Sequence, residues 1–369
     1  MKIADVRARL LRCESSQPIK FAHMEIPSRS MILVEVETES GIVGLGEVDA
    51  WPTGDQAVIS MINGKFRSLL LGEEALDVHR LWDKMYKLFI SPMGRTRGLE
   101  IYAIGAIDMA LWDILGKHLG QPVYRLLGAA RDRIQAYASL GYVPLDEIDA
   151  TVTSVLEKGF RAFKVRIGVD PSLDEEIVKL ARQVAGPDVK IMVDVNSGWS
   201  ARESWLRAKK LEKYDIAWIE EPLPSHDIVG TAELAARTDT PIALGEHQVF
   251  NRYDARDILL SKAASVIQPD MRVGGISECR RIADVAAAWD VPCVPHFFGN
   301  CLRLAAMAHL LGSISNAWVL EYDVSINPLR TQLPIDPIEP VDGYVSMPQK
   351  PGLGVELDEE LVERWTVRD

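Results

Sequence analysis

KIMVD at 190–194, IAWIE at 216–220 and PIALGE at 241–246 decide how this chain reads. Each is a short apolar run of β-strand character that ends on a carboxylate: Asp194, Glu220 and Glu246. Twenty-six residues separate Asp194 from Glu220, and another 26 separate Glu220 from Glu246. A strand, a helix and two connecting loops fill about that length in a parallel α/β barrel. The spacing therefore places three acids side by side on one rim. Clustered carboxylates repel one another unless a cation joins them. A set of oxygen ligands alone suits a hard ion, so Mg²⁺ is the expected metal.

The rhythm extends outward from these runs. Strands are expected at IQAYA (134–138), AFKVR (162–166), KIMVD, AWIE (217–220), PIALG, SVIQPD (265–270), CVPH (293–296) and AWVLE (317–321). Amphipathic helices lie between them, among them SLDEEIVKLARQVA (172–185) and ECRRIADVAAAWD (278–290). Eight strands with helical crossovers predict an α/β fold, a (β/α)8 barrel over 126–325. Residues 1–125 lack this rhythm. MKIADVRARLLR and SMILVEVETESGIVGLGEV read as antiparallel strands, followed by helices of which LEIYAIGAIDMALWDILGKHLG is the clearest. That is an α+β capping domain. The Pro- and Gly-rich segment 326–369 is expected to return to the cap.

Composition bounds the function. The chain has 369 residues, 47% hydrophobic and 25% charged, enough for a substantial core. A net charge of −12 argues against nucleic acid and anionic membranes as partners. A small anionic substrate remains compatible, because local charge in a site can oppose the global sign. Cys13, Cys279, Cys293 and Cys301 form no CxxC pair and read as reduced thiols of a cytoplasmic protein. No membrane span or signal peptide is expected.

Seven of the eight expected strands end on polar residues: Lys164 and Arg166, Asp194 and Asn196, Glu220 and Glu221, Glu246 and His247, then Asp270, His296 and Glu321. Barrel enzymes build their active sites at this rim. Lys164 and Arg166 are two apart and share one strand face. Singly, each residue has a plainer reading. A strand-end acid is often a helix cap, Lys164 and Arg166 a salt-bridged pair, Asp270 a turn residue and His296 a core histidine. Glu221 reads as support for a neighbouring ligand or as surface. His247 divides between substrate contact and structural hydrogen bonding.

Together the segments resemble the mandelate racemase subgroup of the enolase superfamily. The likeness rests on KVR at 164–166, DVN at 194–196, EEP at 220–222, GEH at 245–247, QPD at 268–270, PHF at 295–297 and LEYD at 320–323. AIGAIDMALWDILGKHLGQPVYRLLG at 103–128 and PGLGVEL at 351–357 extend it over nearly the whole chain. The resemblance implies a carboxylate substrate whose α-proton is removed to give an enediolate, with Mg²⁺ on Asp194, Glu220 and Glu246. It implies that Lys164 supports the substrate carboxylate, that Glu321 can hydrogen-bond it if it holds a proton, and that His296 is the base, oriented by Asp270. Asn196 becomes a polar contact, and the subunit is expected to form a homo-oligomer. Family members commonly carry Lys-x-Lys where this chain has Lys164 and Arg166. Guanidinium is a poor base. A racemase needs bases on both faces of the α-carbon, whereas a dehydratase works from one.

The favoured expectation is therefore a sugar-acid dehydratase acting on an aldonate or aldarate. An epimerase, a racemase or a sugar-lactone cycloisomerase shares the intermediate, and LEYDVSINPLR at 320–330 is reminiscent of the lactone enzymes. A non-catalytic binding protein is the remote alternative. Loops around Phe21-Ala22-His23 and Trp51-Pro52-Thr53 are expected to cover the pocket, with His23 and Trp51 touching substrate. Phe297, Phe298 and Asn300 are expected on the opposite wall.

Overall fold

The structure, a computed structural model, describes residues 1–20, 25–49, 51–89 and 98–368, with the backbone alone for 15–20, 25–27, 51–53 and 89. It opens with an antiparallel sheet of β1 (Ile3–Lys20), β2 (Glu25–Thr38) and β3 (Val43–Val48) in that order. The helix Leu99–Leu119 packs across it. The glycines of VGLGEV allow this close fit. A Cβ on Gly46 would come within 2.0 Å of the Ala106 carbonyl oxygen, and one on Gly44 within 2.1 Å of that of Ala110.

The parallel sheet follows: β4 (Arg133–Ser139), β5 (Ala162–Arg166), β6 (Lys190–Asp194), β7 (Ile216–Glu220), β8 (Ile242–Leu244), β9 (Val266–Ile267) and β10 (Leu320–Asp323). Successive strands pair in parallel, and β10 pairs with β4. The expected seventh strand, CVPH, is the exception in form. It joins through isolated parallel bridges, Ile267 with Cys293, Asp270 with His296, and Cys293 with Ala317. Prolines at 292 and 295 lack the N–H that a continuous ladder needs. These bridges close the ring between β9 and β10.

Alternation along each strand sorts the side chains. One buried cluster holds a single residue from each barrel segment: Tyr137, Ala162, Met192, Trp218, Ala243, Val266, Val294 and Val319. This is the apolar filling of the barrel, a packed core with no open pore. Two residues further along the same segments stand Ser139, Lys164, Asp194, Glu220, Gly245, Gln268, His296 and Glu321. The apolar ring is therefore the floor of a polar one.

The last segment makes contact at both levels of the molecule. β11 (Tyr344–Ser346) pairs antiparallel with β4, whereas Val367 N–H donates to the Leu10 carbonyl at 2.8 Å on the edge of β1. All four cysteines are buried free thiols. Among the described residues, no helix is long and apolar enough to cross a membrane. One expectation is corrected here: Trp51-Pro52-Thr53 is not a loop but the opening of the helix Trp51–Met61. Proline suits the first turn of a helix, where its missing N–H goes unused.

Candidate active site

The polar ring is densely paired. Lys164, 2% exposed, reaches Glu220 at 2.5 Å, Glu321 at 2.8 Å and Asp194 at 3.9 Å. Burial works against its ammonium, but the three carboxylates outweigh it and hold the pKa above its ordinary value. One cation shared by three acids leaves an excess of negative charge. Glu220 carries the consequence: burial, with Asp194 and Glu321 nearby, pushes its pKa up despite Lys164. Its other oxygen accepts from Gln268 Nε2 at 2.7 Å and Trp218 Nε1 at 3.0 Å.

Arg166 lies in register with Asp194 on the neighbouring strand, and its Nη2 donates to Asp194 at 3.1 Å. Burial alone would lower its pKa. Asp194 and Glu246 reverse that and raise it, so the guanidinium stays charged. Lys164 and Arg166 thus sit on the strand-end carboxylates themselves. Asn196 follows with a φ of +51°, and its backbone N–H donates to Asp194 at 2.8 Å.

The expected pair on the other side is present. His296 Nδ1 is 2.9 Å from Asp270 Oδ2, and its Nε2 is 3.2 Å from Glu246. Burial would lower the imidazole pKa, but Glu246 and Asp270 overcome it and raise it to about 9. Glu246 is held low in turn, its burial outweighed by His296, His247 and Arg272. Behind it, Gly245 leaves room for the next strand, since a Cβ there would meet the Gln268 carbonyl oxygen at 2.0 Å.

Glu321 could donate a hydrogen bond to the substrate carboxylate only if it holds a proton. Burial favours that, but Lys164 and His296, helped by the 2.6 Å hydrogen bond from Ser139 Oγ, keep its pKa below the ordinary value. Phe297 N–H also donates to it at 2.8 Å. These donors favour the ionised carboxylate.

Glu221 is 1% exposed and adopts a φ of +42°, rare for a residue with a side chain. Its carboxylate accepts the His247 N–H at 3.0 Å and lies 2.6 Å from His247 Nδ1. His247 is 45% exposed, and nearby Glu246, more than the Glu221 hydrogen bond, raises its pKa to about 10. Glu246 therefore stands between two histidine–carboxylate pairs. Among the described residues, the ligand atoms of Glu221, Glu246 and His247 lie within 4.8 Å of one another. That trio shares Glu246 alone with the expected set. Asp194 and Glu220 are engaged by Arg166 and Lys164 instead. The donor chemistry of Asp194, Glu220 and Glu246 fits a hard divalent ion: all oxygen, on consecutive strands, with cations now occupying the charge they present.

Other expected residues stand elsewhere. His23 lies outside the described residues, as does the side chain of Trp51. Asn300 belongs to the seam between cap and barrel, not to a pocket wall. It is 3% exposed, its N–H donates to Glu47 at 2.9 Å and its side chain to the Ser30 carbonyl at 3.2 Å. Sequence reading missed Gln268, Ser139 and Arg272. The first two follow from the period-two alternation that places Lys164 and His296. Arg272 lies beyond a strand end, where no periodicity reaches.

Residues 5–128 match the mandelate racemase / muconate lactonizing enzyme N-terminal domain, and residues 147–361 match the enolase C-terminal domain-like family. The chain belongs to the mandelate racemase / muconate lactonizing enzyme family of the enolase superfamily. The D-galactarolactone cycloisomerase of Agrobacterium fabrum is 31% identical, with 100% of both chains covered. The arabinonate dehydratase of Saccharolobus solfataricus is 34% identical over 91% of this chain and 90% of its own. The crystal structure of a racemase from Streptomyces coelicolor A3(2) with bound magnesium superimposes with a TM-score of 0.91 at 28% identity, covering 99% of this chain and 100% of that one.

Proposed function

We propose that this family member is an Mg²⁺-dependent dehydratase of a sugar acid, an aldonate or aldarate. The observation that carries the reading is the buried His296–Asp270 pair at the end of the seventh strand, while the second-strand position that would supply a second base holds Arg166, a guanidinium that stays charged. A base on one side and charged Lys164 and Arg166 on the other suit chemistry on one face of the α-carbon. The arabinonate dehydratase relative and the magnesium-bound racemase structure support it.

In its neutral form His296 takes the α-proton on Nε2, with Asp270 holding Nδ1 and so the ring. The electrons of the C–H bond form the carbon–carbon double bond as the β-hydroxyl departs. His296 returns its proton to that hydroxyl, which leaves as water, and the enol ketonises to a 2-keto-3-deoxy acid. Lys164 and Arg166 hold the substrate carboxylate from one side, and Glu321 keeps Lys164 in place. Bound to Asp194, Glu220 and Glu246, Mg²⁺ would supply positive charge against the carboxylate oxygens as negative charge builds there. Glu221 orients His247, which contacts the sugar hydroxyls along with Asn196. Residues 1–125 and 326–369 supply specificity, and 126–325 the chemistry.

A second reading, sugar-lactone cycloisomerisation, is favoured by one observation. The cycloisomerase relative matches over 100% of both chains, further than the dehydratase relative does. The same base would act, with no net loss of water. Incubation with a panel of aldonates, aldarates and their lactones, with MgCl₂ and with EDTA, separates the two. A keto-deoxy product lighter than its substrate by one water, formed only with metal, is expected. A product isomeric with an added lactone selects the second reading. No turnover of any panel member with MgCl₂ contradicts both.

A further inference from the structure

The cap meets the catalytic rim through two carboxylates and two arginines. Glu47, fully buried in β3, accepts the N–H groups of Asn300 at 2.9 Å and Leu302 at 2.8 Å, at the start of the helix Cys301–Ser313. Asp49, just beyond β3, stands 2.7 Å from Arg303 and 3.4 Å from Arg272. Among the described residues, the hydrogen bonds and ion pairs of Asp49 are with these two arginines.

Arg272 faces the other way as well. Its Nε donates to Asp270 Oδ2 at 3.0 Å, and its backbone N–H donates to Asp270 Oδ1 at 2.7 Å. Asp270 Oδ2 is the same oxygen that holds His296 Nδ1 at 2.9 Å. Arg303 adds a longer contact, 3.7 Å to Asp270 Oδ1. Arg272 is only 5% exposed, and its planar guanidinium fixes the directions of its donors. Its Nη2 also lies 2.9 Å from Asp270 Oδ2 and 3.4 Å from Glu246 Oε1, so one rigid fork spans Asp270, Glu246 and Asp49 and transmits position between them.

We propose that Arg272 is a positioning residue that couples the seating of the cap, through Asp49, to the orientation of His296. While Asp49 is docked, the fork is held, Asp270 keeps one orientation and the imidazole points into the site. With Asp49 withdrawn, Asp270 follows the arginine and the ring loses its alignment. A substrate that helps seat the cap would thereby complete its own catalytic base. The proposal rests on the role assigned to His296 and adds the cap as the element that controls it.

Asp49→Asn is the decisive variant, because Asp49 contacts neither Glu246 nor the dyad. Arg272→Met removes the fork, and Arg272→Lys restores the charge without the planar geometry. Ser277→Ala is the control. It deletes cap–barrel hydrogen bonds to Asp108 (2.6 Å) and Trp112 (2.9 Å) and leaves both arginines alone. The first readout is the NMR signal of the His296 Nδ1–H in ¹⁵N-histidine-labelled full-length protein, identified by its absence in His296→Asn. The second is kcat and KM on whichever acid sugar is turned over. In Asp49→Asn the signal should shift or broaden, and kcat should fall about tenfold with KM nearly unchanged. Arg272→Met should lose about 10²-fold in kcat, with part of it recovered in Arg272→Lys. Ser277→Ala should lower Tm and leave the signal and kcat intact. A wild-type signal and kcat in Asp49→Asn would overturn the coupling, as would the same changes in Ser277→Ala. If no acid sugar is turned over, the proposed reaction fails while the NMR comparison still decides the coupling.

Discussion

Two rings of side chains line the same barrel two residues apart. The lower ring, from Tyr137 through Val319, is apolar and at most 1% exposed. The upper ring holds Lys164, Asp194, Glu220, Gln268, His296 and Glu321, nearly as buried, at 1–6% exposure. Burying a large apolar side chain stabilises by roughly 1.5–3 kcal/mol. Burying ions costs free energy that their mutual attraction recovers only with good geometry and added hydrogen bonds. The upper ring meets that condition with one ammonium among three carboxylates, and with Ser139, Trp218 and Gln268 as donors. The strands are the same in both rings. Position along the strand separates a residue that fills the barrel from one that presents a polar group at its rim.

The contrast predicts that changes in the two rings fail in different ways. The largest effect is expected from His296→Asn, which should lower kcat by about 10²–10⁴-fold per folded molecule, checked by steady-state kinetics beside calorimetry. Next is Lys164→Met, which puts an apolar side chain of similar length into the upper ring. It leaves Glu220, Glu321 and Asp194 without their shared cation and should cost about 3–5 kcal/mol, measured by urea unfolding without metal. Met192→Ala in the lower ring should cost about 3 kcal/mol by the same measurement. Its specific activity per folded molecule should stay near wild type, the opposite of His296→Asn.

The smallest effect is one of pH. In the metal-free protein the His296 pKa is raised from 6.5 to about 9 by Glu246 and Asp270 against the effect of burial. A raised histidine contributes stability that is complete below pH 6.5 and is lost as pH rises through about 9. The loss should reach at most about 3 kcal/mol. His296→Asn should flatten that part of the profile, and no lower-ring variant should.

The sequence displays one ring far better than the other. The upper ring is legible because charged residues at the ends of apolar strands are conspicuous, and their 26-residue interval marks the barrel. Ser139 and Gln268 are ordinary polar residues that only register identifies. The seventh strand is correctly located by CVPH, but its flanking prolines reduce it to bridges. The downward pull on the Glu321 pKa is not visible in sequence at all, since it depends on the 2.8 Å contact with Lys164. Arg272 and Asp49 are hidden for a related reason. They meet across the seam between cap and barrel, more than 200 residues apart along the chain. Trp51 misled because Trp-Pro-Thr resembles a loop until the first-turn tolerance for proline is considered.

The central claim is that His296 removes the α-proton of a carboxylate substrate, and solvent exchange tests it most directly. The acid sugar that is turned over is incubated in D₂O with MgCl₂ and wild-type protein or His296→Asn, and the α-proton of the substrate and the C3 protons of the product are followed by ¹H NMR. Wild type should cleave the α C–H bond, and the variant should leave it intact for as long as the wild type takes to finish. Continued loss of the α-proton in His296→Asn at the wild-type rate would contradict the assignment.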